Sequence, residues 1–267
     1  MSSIRKNLLL DRLRANELTL MLAIRTSRTP DIIRIAHATG HHAVMLDLEH
    51  STITLDTTAQ LCGTANDLGL VPLVRIPERE YGAIGRLLDA GAGGIVAPRV
   101  ETPVEAQTIA RACRFPPRGQ RSQLAMVPQF GLRPTPASLL NPKLDDATVV
   151  QILIETPKGI ANADAIAAID GVDMLVIGAN DLTAELGCPG QFGDPRVRDA
   201  IAVAAKACRR HDKLLMLGGI SDLSLVATLM PLGIAPMQLT GTDTEILFGA
   251  IEARARKFTE WHAAQAS

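Results

Sequence analysis

Short apolar runs bounded by glycine, proline or charged residues recur along this chain, and segments with helical spacing separate them. Runs that are apolar at nearly every position are typical of strands covered on both faces, as in a parallel sheet. The intervening segments, such as 54–68 and 195–210, place apolar residues three to four positions apart, which predicts helices. The predicted strands are 18–24, 43–48, 71–76, 94–100, 149–154, 174–177, 214–217 and 237–239.

Eight strands that alternate with helices predict a (β/α)8 barrel, also called a TIM barrel. Eight units of about 30 residues, each a strand and a helix, fill a chain of this length, which has 267 residues. We therefore predict a single barrel domain over residues 1–267. No low-complexity tract or interdomain linker stands out in the sequence.

One connection in the predicted barrel is much longer than the others. After a predicted helix at 103–114, residues 115–146 are rich in proline and show no regular period before the fifth strand. Long irregular segments in compact domains are usually functional loops or disordered. This segment is a candidate to cover the active-site mouth or to contact a neighbouring subunit. Its Arg118, Arg121 and Arg133 either meet an anionic substrate or merely solvate the loop.

The C-terminal segment 245–264 has the pattern of an amphipathic helix. Leu247, Ile251, Phe258 and Trp261 fall at spacings that form an apolar stripe. Without a partner, the stripe would be the inner face of the barrel's own last helix.

The charge of the chain argues against a polyanionic partner. Its formal net charge is -1 and its pI is near 6.6, whereas nucleic acids and anionic membranes attract clustered Lys and Arg. We expect a small-molecule substrate and no nucleic-acid or membrane partner.

The cysteines and the N-terminus indicate a cytoplasmic protein. No two cysteines form a C-x-x-C pair, which favours reduced, mostly buried thiols over a disulfide framework. The first apolar run is too short for a signal-peptide core and is soon followed by charge. The uncharged stretch 223–242 is interrupted by proline, glycine and polar residues, unlike a membrane span. The cysteines are Cys62, Cys113, Cys188 and Cys208.

Two acidic residues each end a predicted strand, one β-α repeat apart. They are Glu155 in Ile-Glu-Thr-Pro-Lys-Gly and Asp181 in Ile-Gly-Ala-Asn-Asp-Leu. The carboxyl ends of adjacent parallel strands face the same opening. Oxygen ligands suit Mg²⁺ or Mn²⁺, so the pair predicts a divalent-metal site.

The second predicted strand ends in Leu46-Asp47-Leu48-Glu49-His50. Alternation along a strand sends Asp47 and Glu49 to one face and leaves His50 at the start of the next loop. A carboxylate that accepts the imidazole N–H fixes its tautomer and raises its basicity, so we interpret Asp47 and His50 as a candidate base. The alternative is that three polar groups cap a strand end.

The third predicted strand ends near Arg75. An arginine at the end of a barrel strand is costly unless it meets an anion. Arg75 is therefore a candidate for stabilising an oxyanion. An internal ion pair with Asp47 or Glu49 is the other interpretation, and the two roles are compatible.

Together these motifs resemble the metal-dependent pyruvate aldolases of the HpcH/HpaI aldolase and citrate lyase family, typified by 4-hydroxy-2-oxoheptanedioate aldolase. The likeness covers nearly the whole chain. Any one motif is weak, but the ordered set is specific. The motifs are Asp47-Leu-Glu49-His50, Pro72-Leu-Val-Arg75, Leu87-Leu-Asp-Ala-Gly-Ala, Arg114-Phe-Pro-Pro-Arg-Gly119, Ile154-Glu155-Thr156 and Gly178-Ala-Asn-Asp181-Leu182.

The resemblance implies a lyase that cleaves or forms 4-hydroxy-2-oxo acids through a pyruvate enolate, with an aldehyde as the other half. It implies a divalent cation, Mg²⁺, Mn²⁺ or Co²⁺, and no organic cofactor. Glu155 and Asp181 would hold this cation, with Glu49 next to them. Backbone N–H groups at Ala179 and Asn180 would bind the pyruvate carboxylate.

The resemblance also assigns the remaining catalytic residues and an assembly. Arg75 would face the keto oxygen, and His50 with Asp47 would move the proton of the C4 hydroxyl. In this family the final helix packs across to a partner subunit, so the resemblance implies a hexamer.

The chain departs from the family pattern where the substrate would bind. Members often carry Gln two residues before the metal-binding Glu, but here that position is Leu153 and the Gln stands at 151. The loop motif Pro-Pro-x-Gly-x-Arg-Gly ends in Ser122 rather than Gly. Arg121 remains a candidate for the distal end of a substrate, in its own or a neighbouring subunit. The catalytic type is better supported than the substrate.

Other outcomes of the same metal-enolate chemistry stay open. They are a citramalyl- or malyl-CoA lyase, a citrate-forming synthase and an oxaloacetate decarboxylase-type synthase. A CoA substrate would need a basic channel for its phosphates, and no such cluster is evident beyond the loop arginines. A non-catalytic barrel is disfavoured because six ionisable groups gathered at one mouth are costly without a site to serve.

Overall fold

Eight parallel strands form the centre of the structure, a computed structural model that describes residues 8–265. The strands are β1 (Thr19–Ile24), β2 (Ala43–Asp47), β3 (Val71–Arg75), β4 (Gly94–Ala97), β5 (Val149–Ile154), β6 (Met174–Gly178), β7 (Leu214–Gly218) and β8 (Met237–Thr242). They follow one another in sequence order from β1 to β7, and β8 pairs with β1. Because β7 and β8 also lie side by side, the barrel is nearly closed. The predicted (β/α)8 fold is confirmed.

Helices surround the strands. They are α1 (Leu8–Arg14), α2 (Asp31–Ala38), α3 (Leu55–Leu68), α4 (Ile84–Asp89), α5 (Pro103–Cys113), α6 (Ala137–Ala147), α7 (Pro157–Ala161), α8 (Ala163–Ala167), α9 (Ala179–Glu185), α10 (Pro195–Arg210), α11 (Leu223–Leu229) and α12 (Asp243–Gln265). The predicted helices at 54–68 and 195–210 correspond to α3 and α10. None of the described helices has the length and apolarity that crossing a membrane requires.

Alternation along each strand divides the apolar residues between two clusters. In β1, Met21 and Ala23 point into the barrel, whereas Leu22 and Ile24 pack outward against the helices. Both faces of the strands are therefore covered, which explains the near-continuous apolar runs. The inner cluster also takes in leucines of α1.

The connection between β4 and β5 is long, as predicted, but it is partly helical and does not cross the mouth. It contains α6, and Phe115, Val127, Leu140 and Leu144 form a small buried cluster of its own. Gln129 Nε2 in this segment donates to the carbonyl of Leu88, at the C-terminal end of α4 (3.0 Å). Helices in this fold run antiparallel to the strands, so that end of α4 lies where the strands begin, away from the mouth.

The C-terminal helix α12 projects away from the barrel. Asp243 at its start is buried, while Phe258 is 70% and Trp261 is 61% exposed. Its main contacts in the described chain are with β1 and β8. The structure therefore excludes the interpretation that the apolar stripe packs on this chain's own barrel. The predictions for residues 1–7, including the absence of a signal peptide, and the outer limits of the 1–267 domain lie outside the described residues.

Candidate active site

Four strands end their inward-facing rows with an ionisable residue. The strand ladders pair Ala23 with Met45 and Met45 with Leu73, so the next inward positions on β1, β2 and β3 are also neighbours. All four residues stand at the C-terminal ends of their strands, at the mouth where barrels of this kind carry their active sites. The inward pairs are Ala23 and Arg25, Met45 and Asp47, Leu73 and Arg75, and Leu153 and Glu155.

Asp47 is the most deeply buried of these groups and is held by two arginines. Its carboxylate accepts from Arg75 Nε (2.9 Å) and Nη2 (2.6 Å) and from Arg25 Nε (2.6 Å). The backbone N–H groups of Glu49 and His50 donate to it as well (3.1 and 3.2 Å). Burial alone would raise the pKa of Asp47, but these bonds and the charge of Arg75 outweigh it and lower the pKa to about 2. The predicted ion pair of Arg75 with Asp47 is present.

The expected bond between Asp47 and the imidazole ring is not the arrangement observed. His50 contacts Asp47 through its backbone N–H, while its half-exposed ring lies 3.6 Å from Glu49 Oε2. The reason is that five N–H donors, three from arginines and two from the backbone, already occupy both oxygens of the Asp47 carboxylate. Glu49 is also paired with Arg75 Nη1 (3.2 Å). Burial raises the pKa of Glu49 despite that pairing.

Glu155 has a different environment from Asp47. It is buried, and its Oε1 accepts from the backbone N–H of Arg99 (2.7 Å). No described Lys or Arg side chain forms an ion pair with it. Burial raises the pKa of Glu155 to about 7, and the negative charges of Asp181 and Glu49 add to this shift. A buried carboxylate close to two others, without a bonded cation, is suited to receive one.

The carboxylates of Glu155 and Asp181 fit a divalent cation that takes only two ligands from the protein. Within residues 8–265, no three His, Cys, Asp or Glu side chains group as a complete metal cluster. Two carboxylates suffice for Mg²⁺, because substrate and water oxygens commonly fill its other positions. Asp181 lies in the first turn of α9, whose N-terminus has no side-chain cap. The N–H groups of Ala179 and Asn180 therefore begin a helix that opens at the mouth.

Leu153 and Gln151 occupy the barrel interior beneath Glu155. Leu153 belongs to the inner apolar cluster and is 6% exposed. Gln151 is buried one layer lower, where its amide donates to Met174 Sδ (3.3 Å). The amide therefore points away from the mouth, and Leu153 offers an apolar floor next to the carboxylate.

Comparison with known proteins matches this arrangement to one family. The family model described as HpcH/HpaI aldolase/citrate lyase matches residues 21–224. The 4-hydroxy-4-methyl-2-oxoglutarate aldolase of Hapsidospora irregularis is 37% identical over 217 residues, which are 80% of each chain. This chain belongs to the HpcH/HpaI aldolase/citrate lyase family.

Other relatives agree with that placement. A hydroxypyruvate/pyruvate aldolase from Roseobacter denitrificans is 33% identical over 194 residues, covering 69% of this chain and 71% of the relative. The crystal structure of an HpcH/HpaI aldolase from Desulfitobacterium hafniense DCB-2 superposes with a TM-score of 0.88 and 25% identity, over 96% of this chain and 98% of that one. The family resemblance inferred from the motifs is confirmed.

Arg121 does not lie at the mouth of this HpcH/HpaI barrel. Its side chain is 1% exposed, pairs with Asp89 at 2.8 Å and stacks over the Phe115 ring at 4.6 Å from the centroid. A guanidinium enclosed in this way cannot reach the substrate of its own subunit. The expectation that Arg121 binds substrate there is not supported. Arg118 is half exposed, and its Nη1 lies 3.9 Å from Asp146 Oδ1, in the last turn of α6 before β5 begins.

Two mouth residues of this family member escaped the sequence interpretation. Arg25 follows β1 directly and continues the inward row of Met21 and Ala23, a period-two signal that was available in the sequence. Arg99 follows β4 with a φ of 48°, and its N–H orients Glu155. A positive φ at a residue other than glycine leaves no sequence signal, so Arg99 could not have been found in this way.

Proposed function

We propose that this chain is a divalent-metal-dependent aldolase that cleaves 4-hydroxy-2-oxo acids to pyruvate and a carbonyl compound, and catalyses the reverse addition. The observation that carries the proposal is Glu155, a buried carboxylate at the mouth of an HpcH/HpaI barrel with no Lys or Arg ion pair among the described residues. Burial and the negative charge of Asp181 raise its pKa. The aldolases named among its relatives support the same reaction class.

Glu155 and Asp181 would hold Mg²⁺ or Mn²⁺. Such a cation supplies a Lewis acid that stabilises negative charge on the keto oxygen of the substrate. The N–H groups at the start of α9, from Ala179 and Asn180, would bind the carboxylate of the keto acid. Glu49 would adjust the charge around the ligands, because its own carboxylate already interacts with Asp181. No organic cofactor is part of the proposal.

Arg75 would stabilise the enolate. Three of its nitrogens contact Asp47 and Glu49, yet a guanidinium carries five N–H groups, so two remain for a substrate oxygen. The carboxylates on either side fix its orientation, which lowers the reorganisation needed as charge develops. Cleavage of the C3–C4 bond leaves its electron pair on C3 of pyruvate, conjugated with the keto group.

His50 would accept the proton of the C4 hydroxyl during cleavage and return it during addition. Its ring is accessible at the mouth, as a general base requires. Asp47 would act as a positioning residue, since it holds Arg75, Arg25 and the backbone at His50 rather than the imidazole. Lys158 is exposed and paired with Glu101 at 2.9 Å, so the proposal needs no Schiff base.

We also propose that the protein is a cytoplasmic homo-oligomer, a hexamer in which α12 packs on a neighbouring subunit. The exposed apolar side chains of α12 support a partner of the same kind. Buried, unpaired cysteines throughout the described chain are consistent with a reducing compartment.

Proton NMR of pyruvate in D₂O tests the proposed chemistry. We expect deuterium to enter the methyl group when Mg²⁺ or Mn²⁺ is present and to stop with EDTA, because only an enolate exchanges these protons. Glu155→Gln should abolish the exchange, while Glu80→Gln, at an exposed position, should retain it. Exchange that survives both EDTA and Glu155→Gln would contradict the proposed metal site. Absence of exchange in the parent with metal bound would contradict the proposed reaction and favour the non-catalytic or CoA-ester alternatives.

A further inference from the structure

Arg25 sits on a backbone turn that fixes its direction. The consecutive N–H groups of Arg25, Thr26 and Ser27 all donate to the buried carboxylate of Asp243, at distances from 2.7 to 3.2 Å. Three bonds to one carboxylate hold the turn after β1 against the start of α12. The side chain of Arg25 consequently leaves this turn in a fixed direction, into the barrel mouth.

The guanidinium of Arg25 is anchored by one edge and free at the other. Its Nε donates to Asp47 Oδ2 at 2.6 Å, and the side chain is 34% exposed. Among the described residues, no acceptor bonds its two terminal nitrogens. Arg75 differs, because Nε and both terminal nitrogens contact Asp47 or Glu49. Arg25 therefore presents an unused pair of parallel N–H donors to the mouth.

Arg28 and Arg99, which follow β1 and β4, are already engaged. Arg28 donates to the carbonyls of Arg25 and Thr26 and to the hydroxyl of Thr52. Arg99 pairs with Glu185 at 2.9 Å. Arg25 alone among these three has a free terminal edge, and a free guanidinium edge matches a carboxylate in a two-bond, planar contact.

The position of Arg25 relative to Glu155 defines what it can reach. The two residues follow β1 and β5, which are four strands apart in an eight-stranded barrel and therefore face each other across the mouth. A keto acid whose carboxylate and keto oxygen were held at Glu155, Asp181 and the start of α9 would extend its C4 end away from these groups. A ligand that spans the mouth would bring that end to Arg25.

We propose that Arg25 is a specificity-determining residue that binds a carboxylate on the C4 side of the substrate. The preferred substrates would then be dicarboxylic 4-hydroxy-2-oxo acids, and the carbonyl partner of pyruvate would itself be a 2-oxo acid. In the addition, a bond forms between C3 of pyruvate and the partner's carbonyl carbon, C3 loses one proton and the new hydroxyl gains one. No oxidant or reductant is needed. This inference rests on the proposed aldolase function.

The test compares two acceptors that differ by a carboxylate. Pyruvate is the donor, glyoxylate or acetaldehyde is the acceptor, and kcat/KM is measured for each with the full-length protein and Mn²⁺. We expect the parent to favour glyoxylate. Arg25→Met and Arg25→Gln should each lower the ratio of kcat/KM for glyoxylate to kcat/KM for acetaldehyde roughly 10- to 100-fold. This is the usual effect of losing a charged two-bond contact. Gln retains an amide donor for Asp47, so it separates loss of charge from loss of that bond.

Arg28→Met is the matched control, because it removes the same charge from the same turn. The acceptor ratio of Arg28→Met should stay within about two-fold of the parent's ratio, since a contact with two aligned donors acts only at bonding distance. An unchanged ratio in both Arg25 variants, or an equal fall in Arg28→Met, would overturn the inference.

The exchange of pyruvate methyl protons, followed in the same samples, separates the two proposals. Metal-dependent exchange in the parent together with an unchanged acceptor ratio would reject the role of Arg25 and leave the aldolase function standing. Absence of exchange in the parent would reject the aldolase function and the role of Arg25 with it.

Discussion

Two carboxylates in one mouth have opposite electrostatic environments. Asp47 is surrounded by two guanidinium groups and two backbone N–H donors, which lower its pKa to about 2 against the effect of burial. For Glu155 burial dominates, and neighbouring carboxylates add to it, so its pKa rises to about 7. The difference follows from which residues lie at the neighbouring strand ends: Arg25 directly after β1, Arg75 as the last residue of β3, and Asp181 in the helix after β6. One carboxylate is thereby suited to fix the site and the other to bind a cation.

At Gly178 a single methyl group is expected to disrupt the proposed metal site. A Cβ there would clash with Glu155 Oε2, and since the φ of Gly178 is -81°, the clash rather than backbone strain is the cause. We expect Gly178→Ala to weaken Mn²⁺ binding roughly 10- to 100-fold, as for other residues that orient metal ligands. Calorimetric titration with Mn²⁺ measures this. Gly193→Ala, where nothing lies within 4 Å, should bind like the parent; equal binding by both variants would contradict the assignment.

Asp47 should contribute a pH-dependent part of the stability. Its folded pKa of about 2 lies below the usual Asp value, so its contribution is present above about pH 4 and is lost as the pH falls from 4 toward 2. We expect Asp47→Asn to destabilise the protein by roughly 2 kcal/mol at pH 7. The difference from the parent should shrink as the pH drops below 4. Urea unfolding at several pH values measures it.

The control for Asp47→Asn is Asp67→Asn, an exposed carboxylate on α3. Its unfolding curve should follow that of the parent from pH 7 to pH 3. A difference between Asp47→Asn and the parent that stays constant over this range would show that the ion pairs with Arg25 and Arg75 do not lower the pKa of Asp47.

At the scale of elements, the connection between β4 and β5 shows how tertiary contacts override local sequence. Its prolines predict irregular chain, yet α6 begins directly after Pro136 and accommodates Pro142 in its interior. Leu140 and Leu144, one helical turn apart, bury themselves against Phe115 and its cluster. That gain in buried apolar surface compensates for a poor local helix propensity.

Within this connection, Arg121 is expected to stabilise the fold rather than bind substrate. Arg121→Met removes a buried partner of Asp89, and since Asp89 is itself partly exposed, we expect a loss of about 2 kcal/mol in unfolding free energy. KM for the keto acid should not change. Arg118→Met, which breaks only ion pairs of 3.9 to 4.0 Å at a half-exposed side chain, should cost less than about 0.5 kcal/mol. A raised KM with parental stability in Arg121→Met would restore the substrate role, within or between subunits.

At the scale of the whole molecule, α12 contributes little to the packing of the barrel. It has 23 residues, and described side chains beyond Asp243 are exposed or half-buried along it. Apolar groups such as Phe258 and Trp261 are costly in water, which favours their burial by a second copy. Asp243 joins this helix to the turn that carries Arg25, so the proposed oligomer contact and the mouth share one backbone junction.

Charges on the apolar face of α12 should therefore reduce the size of the assembly. We expect Phe258→Asp and Trp261→Asp to shift the species seen by light scattering toward smaller oligomers at micromolar concentration, because an ionised carboxylate would be buried at the contact. Ala263→Asp, which introduces the same charge on the opposite face of the helix, should leave the assembly unchanged. Identical masses for all three variants would contradict the predicted interface.

The sequence by itself determined the barrel and most of its mouth. Period-two alternation and strand-end position follow from local chain geometry, so Asp47, Arg75 and Glu155 could be placed together without any contact map. The family motifs supported the same placement over nearly the whole chain.

Only the tertiary structure decided how those groups are partnered. The two arginines on Asp47, the strained Arg99 whose N–H orients Glu155, and the burial of Arg121 depend on contacts between residues 22 to 56 positions apart in the chain. Local periodicity carries no information about such contacts, because they are set by strand register and packing across the barrel.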